Sequence, residues 1–172
     1  MPPEFAPSPS FPHKGMGIES FLKTISPFWK PHPGQKTFLL NQAKTKVLAC
    51  GRRWGKSQVL AVQILFRLLT QPLSRQLLVA PTLEQAKMTL ELVPSLLEKL
   101  LSQANFTSKF EIKTGRLPLL AFQDAKVLAR SAKQGNNLRG NEATDLILDE
   151  AAFIPEPFIE SILSPMQATT DG

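Results

Sequence analysis

Residues 47–57 have the sequence VLACGRRWGKS, in which a short apolar run leads into a loop with two glycines that ends in lysine and serine. The apolar run predicts a short buried strand, Val47–Cys50, and the apolar residues from Ser57 to Leu69 predict a helix that covers a sheet. A loop between a strand and a helix N-terminus is suited to phosphate, because backbone N–H groups and the helix dipole both favour an anion there. The stretch therefore predicts a nucleotide-binding loop.

The polar residues of this loop suit such a site. Gly55 lets backbone N–H groups close around phosphate oxygens, Lys56 supplies charge for the β- and γ-phosphates, and the Ser57 hydroxyl is a ligand for Mg²⁺. One departure is that the usual pattern opens with glycine, whereas this chain has Cys50 at that position and Gly51 one place later. The alternative is a chance Gly-Lys-Ser, which the predicted strand, loop and helix disfavour.

A second motif lies in residues 144–150, with the sequence TDLILDE. It predicts a buried strand that ends in two adjacent carboxylates, at the sheet edge where the phosphate loop also lies. Asp149 is expected to hold the Mg²⁺ shell, and Glu150 to polarise the attacking water as the general base. Alone, such a pair is commonly a solvated end of a core strand. Its combination with the phosphate loop favours the catalytic interpretation.

The rest of the chain predicts one α/β domain behind a proline-rich leader. Residues 1–15 contain five prolines and are expected to be extended and poorly ordered, so the domain spans 16–172. Helices are predicted at 18–25, 36–42, 83–101 and 155–163, with Pro94 kinking the third or starting a second helix, and further strands at 77–80, 109–113, 117–122, 126–129 and 145–149. This alternation predicts a three-layer P-loop fold with a mainly parallel central sheet.

Composition limits the class of protein. Twenty Lys and Arg against fourteen Asp and Glu give a net charge of +6, which suits an anionic partner such as nucleic acid or nucleotide. Cys50 is the only cysteine, so no disulfide framework forms, and with the isolated His13 and His32 it makes no zinc site. Because no stretch has the length of a membrane span and no signal peptide precedes the domain, we expect a soluble intracellular protein.

Several motifs together resemble those of tailed-phage terminase large subunits. They are GRRWGKS at 51–57, Leu-Arg-Gly at 138–140 and LDEAAFI at 148–154, with VAPT at 79–82 similar to the family's second strand and helicase-like loop. The resemblance covers residues 28–166. It implies an ASCE-type ATPase domain that uses ATP and Mg²⁺ to drive double-stranded DNA into a viral capsid.

The resemblance also implies roles for single residues around the loop. Gln35 matches the family's adenine-binding glutamine, whose amide both donates to and accepts from the adenine edge; the alternative is a surface glutamine at a helix start. Arg52 and Arg53 are expected to stabilise phosphate charge in cis, unless one of them is merely solvated or paired. Trp54 belongs to the nucleotide-binding loop, but we expect it, like Phe153, to act by packing rather than by base stacking.

Arg139 matches the arginine finger that the family uses across the subunit interface. The alternatives are an arginine that caps a loop or pairs with Glu142. Arg130, at the end of the preceding strand, is the substitute candidate, and Arg52 or Arg53 would take this role in cis.

The resemblance implies partners and an incomplete chain. We expect double-stranded DNA, a portal protein and a small terminase subunit as partners, in a ring-forming homo-oligomer in the host cytoplasm; a monomer in isolation stays open. The family's C-terminal RNase H-like nuclease domain has no counterpart in 172 residues, so no nuclease activity is expected. A DNA-facing patch is one interpretation, and a solvated basic face another, of Lys109, Lys113, Arg116, Lys126, Arg130 and Lys133.

Two other functions remain as alternatives. A helicase-like DNA-dependent ATPase would have the same two motifs and would unwind duplexes. A non-catalytic remnant would bind nucleotide or DNA without turnover.

Overall fold

A five-stranded sheet forms the centre of the molecule. The computed structural model describes residues 11–104, 110–133 and 142–163. The strands are Arg75–Ala80 (β1), Phe110–Lys113 (β2), Leu119–Phe122 (β3), Ala125–Ser131 (β4) and Asp145–Leu148 (β5), in the spatial order β2-β3-β4-β1-β5. Strand β1 pairs in parallel with β4 and β5, whereas β2, β3 and β4 pair antiparallel. The expected α/β class is confirmed, with an antiparallel extension at one edge.

Six helices accompany these strands in the described ranges. They are Ile18–Ile25 (α1), Pro33–Leu40 (α2), Lys56–Thr70 (α3), Leu83–Leu90 (α4), Leu92–Gln103 (α5) and Glu156–Phe158 (α6), with a 3₁₀ turn at Ala151–Phe153 and a π-helical turn at Ile159–Leu163. The prediction that Pro94 starts a second helix is confirmed, because it lies in the first turn of α5, where its missing N–H has no intrahelical partner to lose. Helix α2 begins earlier than predicted, because His32 caps it.

Both faces of the sheet are covered. Along β1, Leu78 and Ala80 face a core built with α1, α3, α4 and α5, while Leu77 and Val79 face Ile154 and Phe158 after β5. Alternate side chains of a strand point to opposite faces, so β1 is buried on both sides, as the centre of a three-layer fold requires. Helix α3 lies in the larger core with eight buried residues. No helix in the described ranges is long and apolar enough to cross a membrane.

The predicted strand Val47–Cys50 is wrong. The segment belongs to none of the five strands, and the Val47 side chain is 86% exposed. A strand exists through its ladder of hydrogen bonds to a neighbour, and among the described residues β5 pairs only with β1. The apolar composition of this segment therefore predicted a strand but is not enough to form one.

The leader also ends earlier than predicted. Phe11 is 3% exposed, and its ring lies 6.4 Å from that of Phe122, centroid to centroid. The backbone N–H of Gly15 donates to the carbonyl of Thr70 at the end of α3. Burial of an aromatic ring outweighs the local preference of prolines for extended chain. Phe11 and Pro12 are therefore buried and Gly15 is hydrogen-bonded to α3, while residues 1–10 lie outside the described part of the chain.

Candidate nucleotide-binding site

The two predicted motifs meet at the end of β5. Helix α3 begins at Lys56, and its Nζ donates to Glu150 Oε1 at 2.6 Å, across 94 residues of sequence. Both side chains are partly exposed, at 29% and 36%. The hydrogen bond to Glu150 raises the pKa of Lys56 against the opposing effect of burial, so this amine stays charged at neutral pH. A fixed cation and a carboxylate are thus held side by side at the edge of the sheet.

The adjacent carboxylates have different surroundings. The backbone N–H of Asp149 donates to the carbonyl of Val79 at 2.9 Å, so the ladder of β5 continues to this residue. Glu150 then adopts the left-handed conformation, with φ 54°, and turns the chain away. Asp149 is 6% exposed, and its Oδ2 accepts a hydrogen bond of 2.8 Å from the hydroxyl of Thr89 in α4. One carboxylate is therefore buried and oriented, and the other is accessible beside Lys56.

Only one glycine of the loop is required by its geometry. Gly55 has φ +90°, and a Cβ there would lie 2.5 Å from Nε2 of Gln35. A side chain at this position would be strained by its backbone and would collide with Gln35. Gly51 has no positive φ, and a Cβ there would meet nothing within 4 Å. The displaced glycine of the motif therefore carries no steric constraint in this structure.

The first turn of α2 braces the loop through one carbonyl. Gln35 Nε2 donates to the Trp54 carbonyl at 3.0 Å, and His32 Nε2 lies 3.2 Å from the same oxygen. This network assigns the proton of His32 to Nε2. Gln35 Oε1 in turn accepts from the His32 N–H at 3.1 Å, and the His32 and Trp54 rings meet edge to face with centroids 4.7 Å apart. Helix α2 and the loop are therefore joined by a hydrogen-bond network and a ring contact.

Gln35 is a buried side chain, with 5% exposure. The alternative of a surface glutamine at a helix start is therefore wrong. Its amide already bonds to His32 and Trp54, so adenine binding by Gln35 stays a prediction. His32 was not predicted as a site residue, because histidine was considered only as a metal ligand. The pattern His-x-x-Gln before a helix was the available signal, since the two residues form a reciprocal capping box.

The arginines divide into three groups. Arg52 and Arg53 are exposed, and in the part of the chain that the structure describes neither makes a hydrogen bond or an ion pair, so both are free to meet phosphate. Arg139 lies outside the described residues. Arg130 is wrong as a substitute finger, because it is 8% exposed and its guanidinium donates to the carbonyls of Pro118 and Ala129. Burial also lowers the pKa of Arg130.

Two further expectations are changed by the structure. Trp54 packs against the larger core and His32, as predicted, whereas Phe153 is 73% exposed and does not pack in that way. Among the described residues, the basic side chains considered as a DNA-facing patch do not form one free surface. Besides the burial of Arg130, Lys113 pairs with Glu111 at 2.8 Å, and Lys109 lies outside the described residues.

The oxygen donors near the loop fit Mg²⁺. Ser57 follows Lys56 in the first turn of α3, and Asp149 presents a carboxylate whose Oδ1 is not used by Thr89. Among the described residues, no three His, Cys, Asp or Glu side chains form a cluster that could hold a metal ion alone. Mg²⁺ at nucleotide sites commonly takes one or two protein oxygens and completes its shell with phosphate oxygens and water. The donor set therefore fits a metal that arrives with the nucleotide.

Comparison with known families identifies the chain. The family described as "Terminase large subunit, T4likevirus-type, N-terminal" matches residues 47–166. The chain belongs to the terminase large subunit family. The terminase large subunit of Thermus phage G20c is 32% identical over 158 residues, which cover 84% of this chain and 32% of that protein. This chain thus spans about a third of the length of that curated terminase.

Solved terminase structures share the fold. The large terminase ATPase domain of Thermus phage P74-26 has a TM-score of 0.76 and 28% identity, covering 88% of this chain and 64% of that one. The large terminase of bacteriophage HK97 has a TM-score of 0.64 and 26% identity, covering 88% of this chain and 34% of that one. The α/β fold and the resemblance to terminase large subunits are therefore confirmed.

Proposed function

We propose that this chain binds MgATP and hydrolyses it, and that it powers the movement of double-stranded DNA into a viral capsid as the ATPase part of a terminase large subunit. The contact between Lys56 and Glu150 carries the proposal, because it joins a phosphate-binding cation to a general base at 2.6 Å. The similarity to a terminase ATPase domain supports it independently. The net charge of +6 suits both anionic ligands.

The arrangement suggests how the bond to the γ-phosphate breaks. Incoming phosphate oxygens compete with Glu150 for Lys56, and the carboxylate they release is free to accept a hydrogen bond from water. The water oxygen forms a bond to the γ-phosphorus as the bond to the β–γ bridging oxygen breaks, ADP leaves with that electron pair, and Glu150 takes the water proton. Ser57 and Asp149 would hold Mg²⁺, which neutralises charge on the phosphates when bound.

The other site residues complete the nucleotide contacts in this proposal. Backbone N–H groups from Gly51 to Gly55 would surround the phosphates, with Trp54 held by α2. The free guanidinium groups of Arg52 and Arg53 would contact phosphate oxygens in cis. Gln35 would meet the adenine edge if its amide exchanges one of its present partners.

The partners are proposals that rest on family membership. We propose a ring of subunits that docks on a portal protein, receives DNA with a small terminase subunit, and works in the host cytoplasm. Arg139 would act on the nucleotide of the neighbouring subunit.

Point substitutions test the proposed roles of Lys56 and Glu150. Lys56→Ala is expected to weaken binding of a fluorescent ATP analogue at least about tenfold, since it removes the charge that contacts phosphate. Glu150→Gln is expected to keep binding and lose ATP turnover, because an amide cannot take the water proton. Lys99→Ala, at an exposed lysine of α5, is the matched control. Unchanged affinity of Lys56→Ala, or parental turnover by Glu150→Gln, would contradict the proposal.

Turnover by the isolated chain is expected to be slow, because a finger acting in trans is missing from a monomer. Loss of a finger costs on the order of 10³ to 10⁵ in rate in well-studied enzymes. Turnover per subunit should therefore rise with protein concentration. Arg139→Ala subunits should keep their own ATP affinity but lower the ATP turnover of assemblies in which they are mixed with parental subunits. Rapid, concentration-independent turnover that survives Arg139→Ala would assign the role to Arg52 or Arg53.

Added duplex DNA should stimulate turnover without strand separation, whereas unwinding would indicate a helicase-like ATPase.

A further inference from the structure

Thr89 differs from the other threonines in the described helices. Thr24, Thr37 and Thr70 each donate the side-chain hydroxyl to the carbonyl four residues earlier in their own helix. This is the usual bond of a helical threonine. Thr89 donates instead to Asp149 Oδ2, 60 residues away, at 2.8 Å. A hydroxyl that leaves its own helix for a buried carboxylate indicates a specific role at that carboxylate.

The bond between Thr89 and Asp149 is shielded from water. Thr89 is 1% exposed and Asp149 is 6% exposed, so water cannot readily replace either partner. Burial of a carboxylate is unfavourable unless its oxygens find donors, and Thr89 supplies one to Oδ2. Within the described residues this is the carboxylate's one hydrogen bond, which leaves Oδ1 for another partner.

The position of Thr89 is fixed independently of any ligand. Helix α4 begins with a capping box between Thr82 and Gln85, and the Ser131 hydroxyl of β4 donates to the Pro81 carbonyl just before it. The Asp149 N–H bonds to β1 through the Val79 carbonyl. Both partners are therefore anchored at the same end of β1. The hydroxyl sits on a rigid element, as an orienting group requires.

We propose that Thr89 is a positioning residue for the metal: its hydroxyl holds Oδ2 of Asp149 and so orients Oδ1 toward Mg²⁺ or a water of its shell. This inference rests on the proposed function, in which Asp149 belongs to the Mg²⁺ shell. Groups that orient metal-binding side chains typically contribute 10- to 100-fold to metal affinity. Because Thr89 is 1% exposed, it would contact neither the nucleotide nor the attacking water, and its effect is expected to be confined to the metal.

The test measures the Mg²⁺ concentration at half-maximal binding of a fluorescent ATP analogue by the full chain. Thr89→Val removes the hydroxyl at nearly constant shape and is expected to raise this midpoint about 10- to 100-fold. Thr89→Ser, which keeps the hydroxyl, should stay within about threefold of the parent. Binding in EDTA should be equal in all three. Thr70→Val is the matched control, because it removes a buried threonine hydroxyl that bonds only to its own helix.

The outcomes separate the inference from the proposed function. Thr89→Ala replaces Thr89→Val if thermal melting shows the valine variant unfolded, and it carries the same expectation. A parental Mg²⁺ midpoint in a folded hydroxyl-free variant would overturn the inference. Asp149→Asn is measured beside it. If Asp149→Asn raises the midpoint and the Thr89 variants do not, only the positioning role falls; if Asp149→Asn has a parental midpoint, the metal role of Asp149 falls as well.

Discussion

The phosphate loop and the acidic end of β5 face each other across the site but are held in different ways. The loop from Gly51 to Arg53 is exposed, and the segment before it pairs with no described strand. Its support consists of the contacts of Gln35 and His32 to the Trp54 carbonyl and of the packing of the Trp54 ring. The end of β5 continues a ladder with β1, and Asp149 is buried beneath α4. One half of the site is therefore braced by a few hydrogen bonds, and the other is built into the sheet.

This difference predicts that the two halves of the site affect different properties, nucleotide affinity in one case and ATP hydrolysis in the other. Few contacts determine the loop conformation, so a change to any of them alters the shape that surrounds phosphate. The acidic end keeps its backbone through the sheet, so a substitution there changes the charge or metal donor while the shape remains. We expect loop substitutions to act mainly on nucleotide affinity and substitutions at β5 mainly on metal use and turnover.

Among the substitutions that test this comparison, the largest effect on ATP affinity is expected at Gly55. Gly55→Ala puts an alanine at φ +90° with its Cβ 2.5 Å from Gln35 Nε2. A non-glycine residue in such a conformation costs roughly 1–3 kcal/mol before the collision is counted. ATP affinity should therefore fall by at least about tenfold, since 1.4 kcal/mol is a factor of ten. Titration calorimetry measures this, with Gly51→Ala as the control. Equal affinities for the two variants would show that the loop is not fixed in this way.

A smaller effect on ATP affinity is expected when the hydrogen bonds of Gln35 to Trp54 and His32 are lost. Gln35→Ala removes the donor to the Trp54 carbonyl and the acceptor of the part-buried His32 N–H. The loss of these two hydrogen bonds, at about 0.5–1.5 kcal/mol each, should lower affinity about tenfold through a less ordered loop. The loss should be shared by ATP and GTP, with a further loss for ATP alone if the amide also contacts adenine. Parental affinity for both nucleotides would show that the hydrogen bonds of Gln35 do not determine the shape of the phosphate loop.

Local patterns in the sequence predicted most of the elements. Helix α1 was predicted with the observed bounds, because its apolar periodicity coincides with the buried face. Helix α3 was predicted within one residue at each end, because its residues are apolar nearly all round, as in a helix that covers a sheet. The carboxylates of Asp149 and Glu150 were predicted to lie beside the phosphate loop, because they follow a buried strand at the carboxyl edge of the sheet. That expectation used topology alone and needed no knowledge of side-chain packing.

Contacts that depend on packing across the fold could not be predicted. No local pattern connects Thr89 to Asp149, because only the docking of α4 on the sheet brings them together. Val47–Cys50 has the composition of a strand, but a strand requires a neighbour that composition does not specify. Phe11 was assigned to the leader because the prolines of residues 1–15 dominate the local pattern. The burial of Phe11 depends instead on its contact with Phe122.

The smallest effect is expected where the two halves touch. Lys56 is paired with Glu150 in this structure, so the carboxylate competes with phosphate for the charge of the amine. Glu150→Gln removes that competition and the repulsion between carboxylate and phosphate, and ATP affinity should rise while turnover is lost. Partly exposed ion pairs contribute about 0.2–1 kcal/mol, which corresponds to a gain of up to about fivefold.

This gain can be distinguished from a general effect of lost negative charge. Glu142→Gln is the control, because Glu142 pairs with Arg75 at 3.4 Å and lies on the surface. The gain in Glu150→Gln should shrink as salt is raised, since screening weakens exposed ion pairs. If Glu150→Gln binds ATP no more tightly than the parent at low salt, the ion pair does not compete with phosphate. Lys56 would then serve the nucleotide without first leaving Glu150, and the two halves of the site would act independently in binding.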